Sequence, residues 1–347
     1  MLGYRPASNW HTTVCEFRSD SLLPLGEGGR RPDEGFIGDR FSNCPAEAVP
    51  HPDPLPKREG EDFPAVRLSL WKRQGYVDVI MPNSTDPTVA ELFNLAGRVA
   101  LITGGCGHLG TAMSRALAEA GASVVLTSRD AEKAADAAKR LPVVGNAKHF
   151  GIALDHMQPE TLTASLDEAT SIAGPIDVLV NNGVEALPFD WTNVTPEQFT
   201  RHLANATGYF ELSRLVRNQA VERNAPASIV LLGSMYGVVG SYPDAYAGVC
   251  VASPVAYHAL KGGTVHMTRH LAVYWAKDRV RVNCLSPGPF PTAKAPAEMV
   301  RRLTEKSPMG RMGEASELKG AIVFLASDAS SYMTGQNLII DGGWTAW

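Results

Sequence analysis

The sequence predicts an α/β fold, a single Rossmann-type doubly wound sheet of seven parallel strands with helices on both faces. Two observations carry this expectation. The first is that, from about residue 91, short runs dense in Val, Ile and Leu alternate with helical stretches. Near-continuous apolar strands imply burial on both faces, as in a parallel sheet between helix layers. Six such runs lie at residues 99–102, 123–126, 176–180, 228–232, 280–283 and 337–340, with a weaker one at 149–154. Helices between them supply right-handed crossovers. The second observation is a glycine-rich turn leading straight from the first strand into an amphipathic helix, the opening of a βαβ unit. Ligands of such sheets bind beyond the carboxyl ends of the strands, at the switch point. Functional residues should gather there.

Residues 1–90 differ in texture. They are rich in Pro, Gly, Arg and Glu and show no sustained period, so they cannot bury a core. Residues 23–28 read LPLGEG and residues 54–59 read PLPKRE. One legal codon spelling of the first is the reverse complement of a spelling of the second, as the arms of a DNA hairpin would be. The segment reads as translated intergenic repeat with Met81 as the true start, or else as a disordered extension. In either case it has no catalytic role, and the catalytic domain is expected over 91–347.

A 347-residue chain that is 44% apolar can bury a full core. A net charge of −4 gives no reason to expect nucleic acid or an anionic membrane as partner. No apolar run approaches the roughly 20 residues of a membrane span, and the N-terminus lacks a secretory pattern. Five scattered cysteines without a C-x-x-C pair read as reduced cytoplasmic thiols. No metal is called for.

The turn after the first strand is Thr103-Gly104-Gly105-Cys106-Gly107-His108-Leu109-Gly110. Its glycines let backbone N–H groups approach a pyrophosphate at a helix N-terminus. This resembles the T-G-x-x-x-G-x-G pattern of the short-chain dehydrogenase/reductase (SDR) family, with His108 in place of the middle glycine. A side chain there either meets the phosphates or faces solvent. By the same resemblance, Ser128 stands where NAD-preferring members carry an Asp that holds the ribose. Arg129 follows and offers a guanidinium to a 2′-phosphate. NADP(H) is favoured, and the nearby Asp130 keeps NAD(H) open. The resemblance also places Asp155 at the adenine edge, and Asn181 and Asn182 along the cleft, where Asn181-Asn182-Gly183-Val184 replaces the usual N-N-A-G. Pro287-Gly288 and Thr292 match the P-G-x-x-x-T segment beside the nicotinamide.

Tyr257 and Lys261 are four residues apart in a helical stretch and so share one face. A tyrosine with pKa near 10 is a poor base until a nearby ammonium favours its phenolate. In the SDR family this pair serves as acid/base and ribose-binding lysine. Ser234, after the fifth strand, matches the family serine on the substrate oxygen. Asn205 matches the asparagine that holds a water linking the lysine to solvent. His258 and His266 read as packing or surface residues. The resemblance covers about residues 92–347.

It implies hydride transfer between a secondary alcohol and a ketone with NAD(P), on a small-molecule substrate. The nearest look is to sugar-acid or polyol members such as gluconate 5-dehydrogenase-like proteins. Alternatives are a 3-oxoacyl-carrier-protein reductase, left open by Arg301 and Arg302, and a dinucleotide-binding regulator without catalysis. The stretch 235–256 is long for the family. Its Tyr236, Tyr242, Asp244 and Tyr246 would suit a hydroxylated ligand, or the loop would pack on a neighbouring subunit. The C-terminal 335–343 resembles the family's last strand and turn, implying a homotetramer or dimer. Trp344 and Trp347 would be buried there or would fold over the cleft.

Overall fold

The structure, a computed structural model, describes residues 86–347 apart from 187 and 188. The expectations for residues 1–80 and for Met81 lie outside the described residues. Seven parallel strands form one sheet: β1 (Val99–Ile102), β2 (Ser123–Ser128), β3 (His149–Ala153), β4 (Val178–Asn181), β5 (Ala227–Leu232), β6 (Val280–Pro287) and β7 (Asn337–Ile340). Their order is β3-β2-β1-β4-β5-β6-β7. β1 pairs with both β2 and β4, so the winding reverses there and the crevice opens at its carboxyl end. All seven runs expected from the sequence are strands. β6 extends four residues past its apolar run, because Ser286 and Pro287 continue the pairing with β7.

The helices are α1 (Val89–Leu92), α2 (His108–Glu119), α3 (Ala131–Ala138), α4 (Leu162–Ala173), α5 (Pro196–Glu222), α6 (Pro243–Tyr246), α7 (Val255–Trp275), α8 (Ala297–Thr304) and α9 (Lys319–Ala326). α1 straddles the boundary expected at residue 90. A Thr88–Glu91 capping box starts it. The longest helix, α5, begins on a second capping box, Thr195 with Gln198, and carries Pro196 in its first turn, where a missing N–H costs nothing.

Alternation along the strands divides the core between the two faces. Leu101, Leu179 and Ile229 pack on Tyr209, Leu212 and Leu271 of α5 and α7. Ile102, Val180 and Val230 pack on Met113, Leu117, Ile322 and Leu325 of α2 and α9. A third, smaller cluster stands beyond the sheet. Here Met235, Tyr236 and Tyr246 meet Leu303 and Trp344, which brings the long 235–256 stretch, α8 and the C-terminus together.

Candidate active site

A cleft of about 520 Å3 opens over the switch point. Its floor is the turn between β1 and α2. The Thr103 hydroxyl, itself buried, accepts from the N–H groups of Asn182 and Gly183, both at 2.9 Å. Asn182 Nδ2 donates to the carbonyls of Thr103 (2.9 Å) and Gly104 (3.0 Å), which stitches the turn to the end of β4. Gly110 has to be glycine, since a Cβ would lie 2.3 Å from the Gly104 oxygen and 2.9 Å from Asn182 Nδ2. α2 has no side-chain cap, so its first-turn N–H groups are left for a ligand. His108, exposed at its first position, lines the cleft together with Leu109 and Gly110.

At the far corner, Ser128, Arg129 and Lys133 line the cleft. The Asp130 carboxylate is engaged elsewhere, capping α3 by accepting from the Lys133 N–H at 3.0 Å. Lys133 belongs to no sequence motif. Its only signal is its place one turn into the helix that Asp130 caps. Asp155 lines the cleft and also accepts from the Met157 N–H (3.0 Å).

Four expected cofactor residues do not line the cleft. Thr103 and Gly105 sit behind the turn. Asn181 is fully buried and points to α5, donating to the Tyr209 carbonyl (3.2 Å) and Ser213 Oγ (3.0 Å). Thr292 is exposed, accepting from the Lys294 N–H, while Pro287 and Gly288 of the same segment do reach the cleft.

Ser234, Tyr257 and Lys261 come together at the inner end of the cleft. A second cavity of about 340 Å3 joins it there, the two sharing Ser234, Tyr257, Gly288 and Phe290. Lys261 Nζ is buried and donates to the Leu232 carbonyl at 2.6 Å, 5.6 Å from the centre of the Tyr257 ring. Burial brings its pKa down to about 8. The expected pull of the ammonium on the phenol does not show here. Burial pushes Tyr257 up, and the Ser234 hydroxyl draws it part of the way back. The ammonium is held on the end of β5 rather than on the phenol oxygen.

Asn205 lies under the cleft. Its Oδ1 accepts from the Glu185 N–H and from His156 Nε2, each at 2.8 Å, and its Nδ2 donates to the His202 carbonyl at 2.7 Å. With Oδ1 as acceptor, the proton of a neutral His156 sits on Nε2. His156 Nδ1 is 3.3 Å from where a Cβ on Gly183 would be, so glycine in place of the family's alanine makes room for this ring. The ring stacks on Tyr209, with centroids 5.4 Å apart. His202, one turn before Asn205, is buried with its centroid 6.1 Å from that of Tyr257. Among the described residues neither of its nitrogens has a well-aligned hydrogen-bond partner, the Glu185 backbone acting on it only weakly. Burial lowers the pKa of both histidines. Sequence reasoning missed both, because neither belongs to a motif.

The long stretch folds over the second cavity. The Tyr246 hydroxyl meets that of Tyr236 at 2.7 Å, and both rings line the cavity. Tyr242 and Asp244 do not. Tyr242 packs edge-on against Trp344 (5.5 Å), and Asp244 pairs with Lys306 of the segment after α8 (2.8 Å). Arg302 grips the carbonyls of Asp244 (2.9 Å) and Ala247 (2.8 Å) and the Glu298 carboxylate (2.8 Å), and Arg301 pairs with Glu298 and Glu305. His258 stacks on Tyr236 with Nε2 at 3.1 Å from Ser253 Oγ, and His266 is exposed. Trp344 is buried beside the cavity, whereas Trp347 is exposed.

The chain is similar to known proteins over most of its described length. A family model described as enoyl-(acyl carrier protein) reductase matches residues 107–345. Galactitol 2-dehydrogenase (L-tagatose-forming) of Cereibacter sphaeroides is 37% identical over 74% of this chain and 98% of its own. D-arabinitol 2-dehydrogenase (ribulose-forming) of Scheffersomyces stipitis is 33% identical over 75% and 98%. The crystal structure of a gluconate 5-dehydrogenase from Burkholderia cenocepacia with NADP and tartrate superposes with a TM-score of 0.66. It is 29% identical and covers 75% of this chain and all of that one. The chain belongs to the short-chain dehydrogenase/reductase family and is an oxidoreductase of CH–OH groups that uses a nicotinamide dinucleotide.

Proposed function

We propose that the protein interconverts a secondary alcohol and a ketone on a polyol or sugar acid, with Tyr257 as acid/base. The observation that carries this is the junction itself. Tyr257 and Ser234 belong to both the cofactor cleft and the second cavity, so a carbon held between them faces both. The residues present fit a dinucleotide: a glycine cradle that a Cβ would fill, a helix N-terminus for the pyrophosphate, and Arg129 with Lys133 at the far corner. That corner favours NADP(H), because its cations answer a 2′-phosphate and the carboxylate of Asp130 is spent on a helix cap. When bound, the cofactor supplies or accepts hydride at its nicotinamide ring.

Tyr257 gives its proton to the carbonyl oxygen in reduction and takes it from the hydroxyl in oxidation. Ser234 donates to the same oxygen. Lys261 holds positive charge beneath the phenol, and Asn205, fastened by His156 and Glu185, fixes the α5 backbone behind it. The protein would act as a cytoplasmic homotetramer or dimer. Phe210 of α5 and Val273 and Tyr274 of α7 are exposed apolar residues that an assembly would cover.

A thioester substrate is the second reading, and the apolar second cavity favours it. Against it, Arg301, Arg302 and Lys306 are all paired within the chain and present no open basic patch to an acidic carrier. The test is nicotinamide absorbance at neutral and alkaline pH, with NADP and NAD against polyols, aldonates, keto-aldonates and 3-oxoacyl thioesters, and Tyr257→Phe as control. Turnover of a polyol or sugar acid that disappears in the control is the expected result. Thioester turnover would move the protein to the second reading. Tight cofactor binding with no turnover at all would overturn the catalytic assignment.

A further inference from the structure

The second cavity has a composition at odds with a sugar-acid anion. Beyond the shared residues its wall is mostly apolar: Met235, Met299, Leu303 and Met312, the Tyr236 and Tyr246 rings and three prolines, with Ser253 as its one other polar side chain. Among the described residues that line it there is no Lys, Arg or His. The cations adjacent in sequence to this wall are engaged, Arg302 on Glu298 and two carbonyls and Arg311 on Glu317, and so is Lys306, on Asp244. A carboxylate brought into such a wall loses its water and gains no counter-charge. Hydroxyls fare only somewhat better. Apart from the reacting oxygen's partners, the polar side-chain atoms on offer are the paired hydroxyls of Tyr236 and Tyr246 and the Ser253 hydroxyl, which already meets His258. Two phenols bonded to each other use one of their two protons between them, so the pair keeps one donor for a ligand.

We infer that this pocket selects an uncharged substrate with a hydroxyl-poor end, a deoxygenated polyol or sugar rather than an aldonate, and that the Tyr236–Tyr246 hydroxyl pair is its specificity-determining element. This rests on the alcohol–ketone reading proposed above and narrows it. The deoxygenated end lies against the methionines, whose unbranched side chains adapt to an apolar group. One substrate hydroxyl beside the reacting carbon meets the tyrosine pair. Tyr246 comes from the stretch 235–256, and Asp244 and Ala247 of that stretch are tied to Lys306 and Arg302 in and after α8. Specificity is therefore set by two segments held together across the cavity mouth.

The experiment compares kcat/KM on the intact protein with the preferred cofactor for three probes: a 6-deoxyhexitol, the parent hexitol and gluconate. The 6-deoxyhexitol should lead the hexitol by up to about a hundredfold, the scale on which an apolar pocket rejects an added hydroxyl. Gluconate should trail by at least about a hundredfold, having an unpaired charge to desolvate. Replacing both phenols, Tyr236→Phe with Tyr246→Phe, removes the one free donor and should raise KM for the deoxyhexitol about tenfold with little change in kcat, as loss of one binding hydrogen bond does. Met299→Arg should move the preference toward gluconate. Gluconate turning over as fast as either neutral probe, or no gain of gluconate activity in Met299→Arg, would overturn the inference while leaving the alcohol–ketone assignment intact. If no alcohol or ketone turns over, both fall together.

Discussion

On the cofactor side of Tyr257 the wall is backbone and charge. Glycines let the chain come close, Thr103 and Asn182 lock the turn from behind, and Arg129 with Lys133 closes the far corner. On the substrate side the wall is methionine and aromatic ring, and its polar atoms are mostly committed to each other. The cofactor half recognises a fixed, highly charged molecule with rigid groups. The substrate half grips by shape and adaptable side chains, so its specificity lies in what it refuses. The two halves should therefore respond differently to mutation.

The largest effect belongs to the residue they share. Tyr257→Phe should lower kcat on the order of a thousandfold, within the range for loss of a general acid. Cofactor affinity, read by fluorescence titration, should stay nearly unchanged. A parallel loss of binding would place Tyr257 in the cofactor half alone. Next in size is the cradle. Gly110→Ala puts a Cβ 2.3 Å from the Gly104 oxygen, and forcing the turn apart should cost about 1–3 kcal/mol. The stabilisation that NADP confers on the melting temperature should then largely vanish. Retention of that stabilisation would show that the turn relaxes.

The pH profile joins the halves again. Burial puts Lys261 at about 8 and pushes Tyr257 up, so Lys261 is the first of the two to lose its proton as pH rises. Below about pH 8 the pair carries both protons, which suits reduction. Above it one is lost, which suits oxidation. Oxidation kcat/KM should rise with pH through about 8, roughly tenfold per unit on the acid side, while reduction declines above it. A profile flat through that window would separate Lys261 from the chemistry. Arg129→Ala should weaken NADP about tenfold or somewhat more, the scale of one charge-assisted hydrogen bond, and leave NAD almost untouched. Equal loss for both nucleotides would move Arg129 from the 2′-phosphate to the common part of the cofactor.

The same contrast explains what could be read from the sequence. The seven strands announced themselves because a two-sided sheet needs unbroken apolar runs, and the cofactor turn did so because close backbone approach forces glycine. Tyr257 and Lys261 share a helix face as their spacing requires, and Ser234, which the family resemblance singled out, lines the same cleft. The substrate half has no such local rule. Its wall draws on residues 235–254, 288–291 and 299–312, and a methionine in any of these looks like any core methionine until the fold brings them together. Tyr242 and Asp244 show the converse. They looked like ligand contacts in the chain, but in the structure they fasten the loop to Trp344 and Lys306. Asn181 likewise follows the motif but serves α5, since a fully buried amide must find partners and Tyr209 and Ser213 supply them.

His202 is the smallest and most diagnostic case, because it lies under the boundary between the halves. A buried imidazole with no well-aligned partner among the described residues, and only a weak contact with the Glu185 backbone, has lost its water with little compensation. Replacing it with a hydrocarbon of similar size removes that penalty, so His202→Leu should keep or raise stability, by no more than about 1–2 kcal/mol. Burial holds the folded-state pKa of His202 below its ordinary 6.5, so the unfolded chain binds the extra proton first. Stability should therefore fall as pH drops through 6.5, and the variant should gain on the parent at pH 5.5 relative to pH 7.5. Urea midpoints at the two pH values check this. If the ring is a dry packing residue beside Tyr257, activity should hold while stability improves. If kcat falls instead and its pH dependence shifts, His202 serves the proton path of Tyr257 and Lys261, and the cofactor half reaches one layer deeper than its motif.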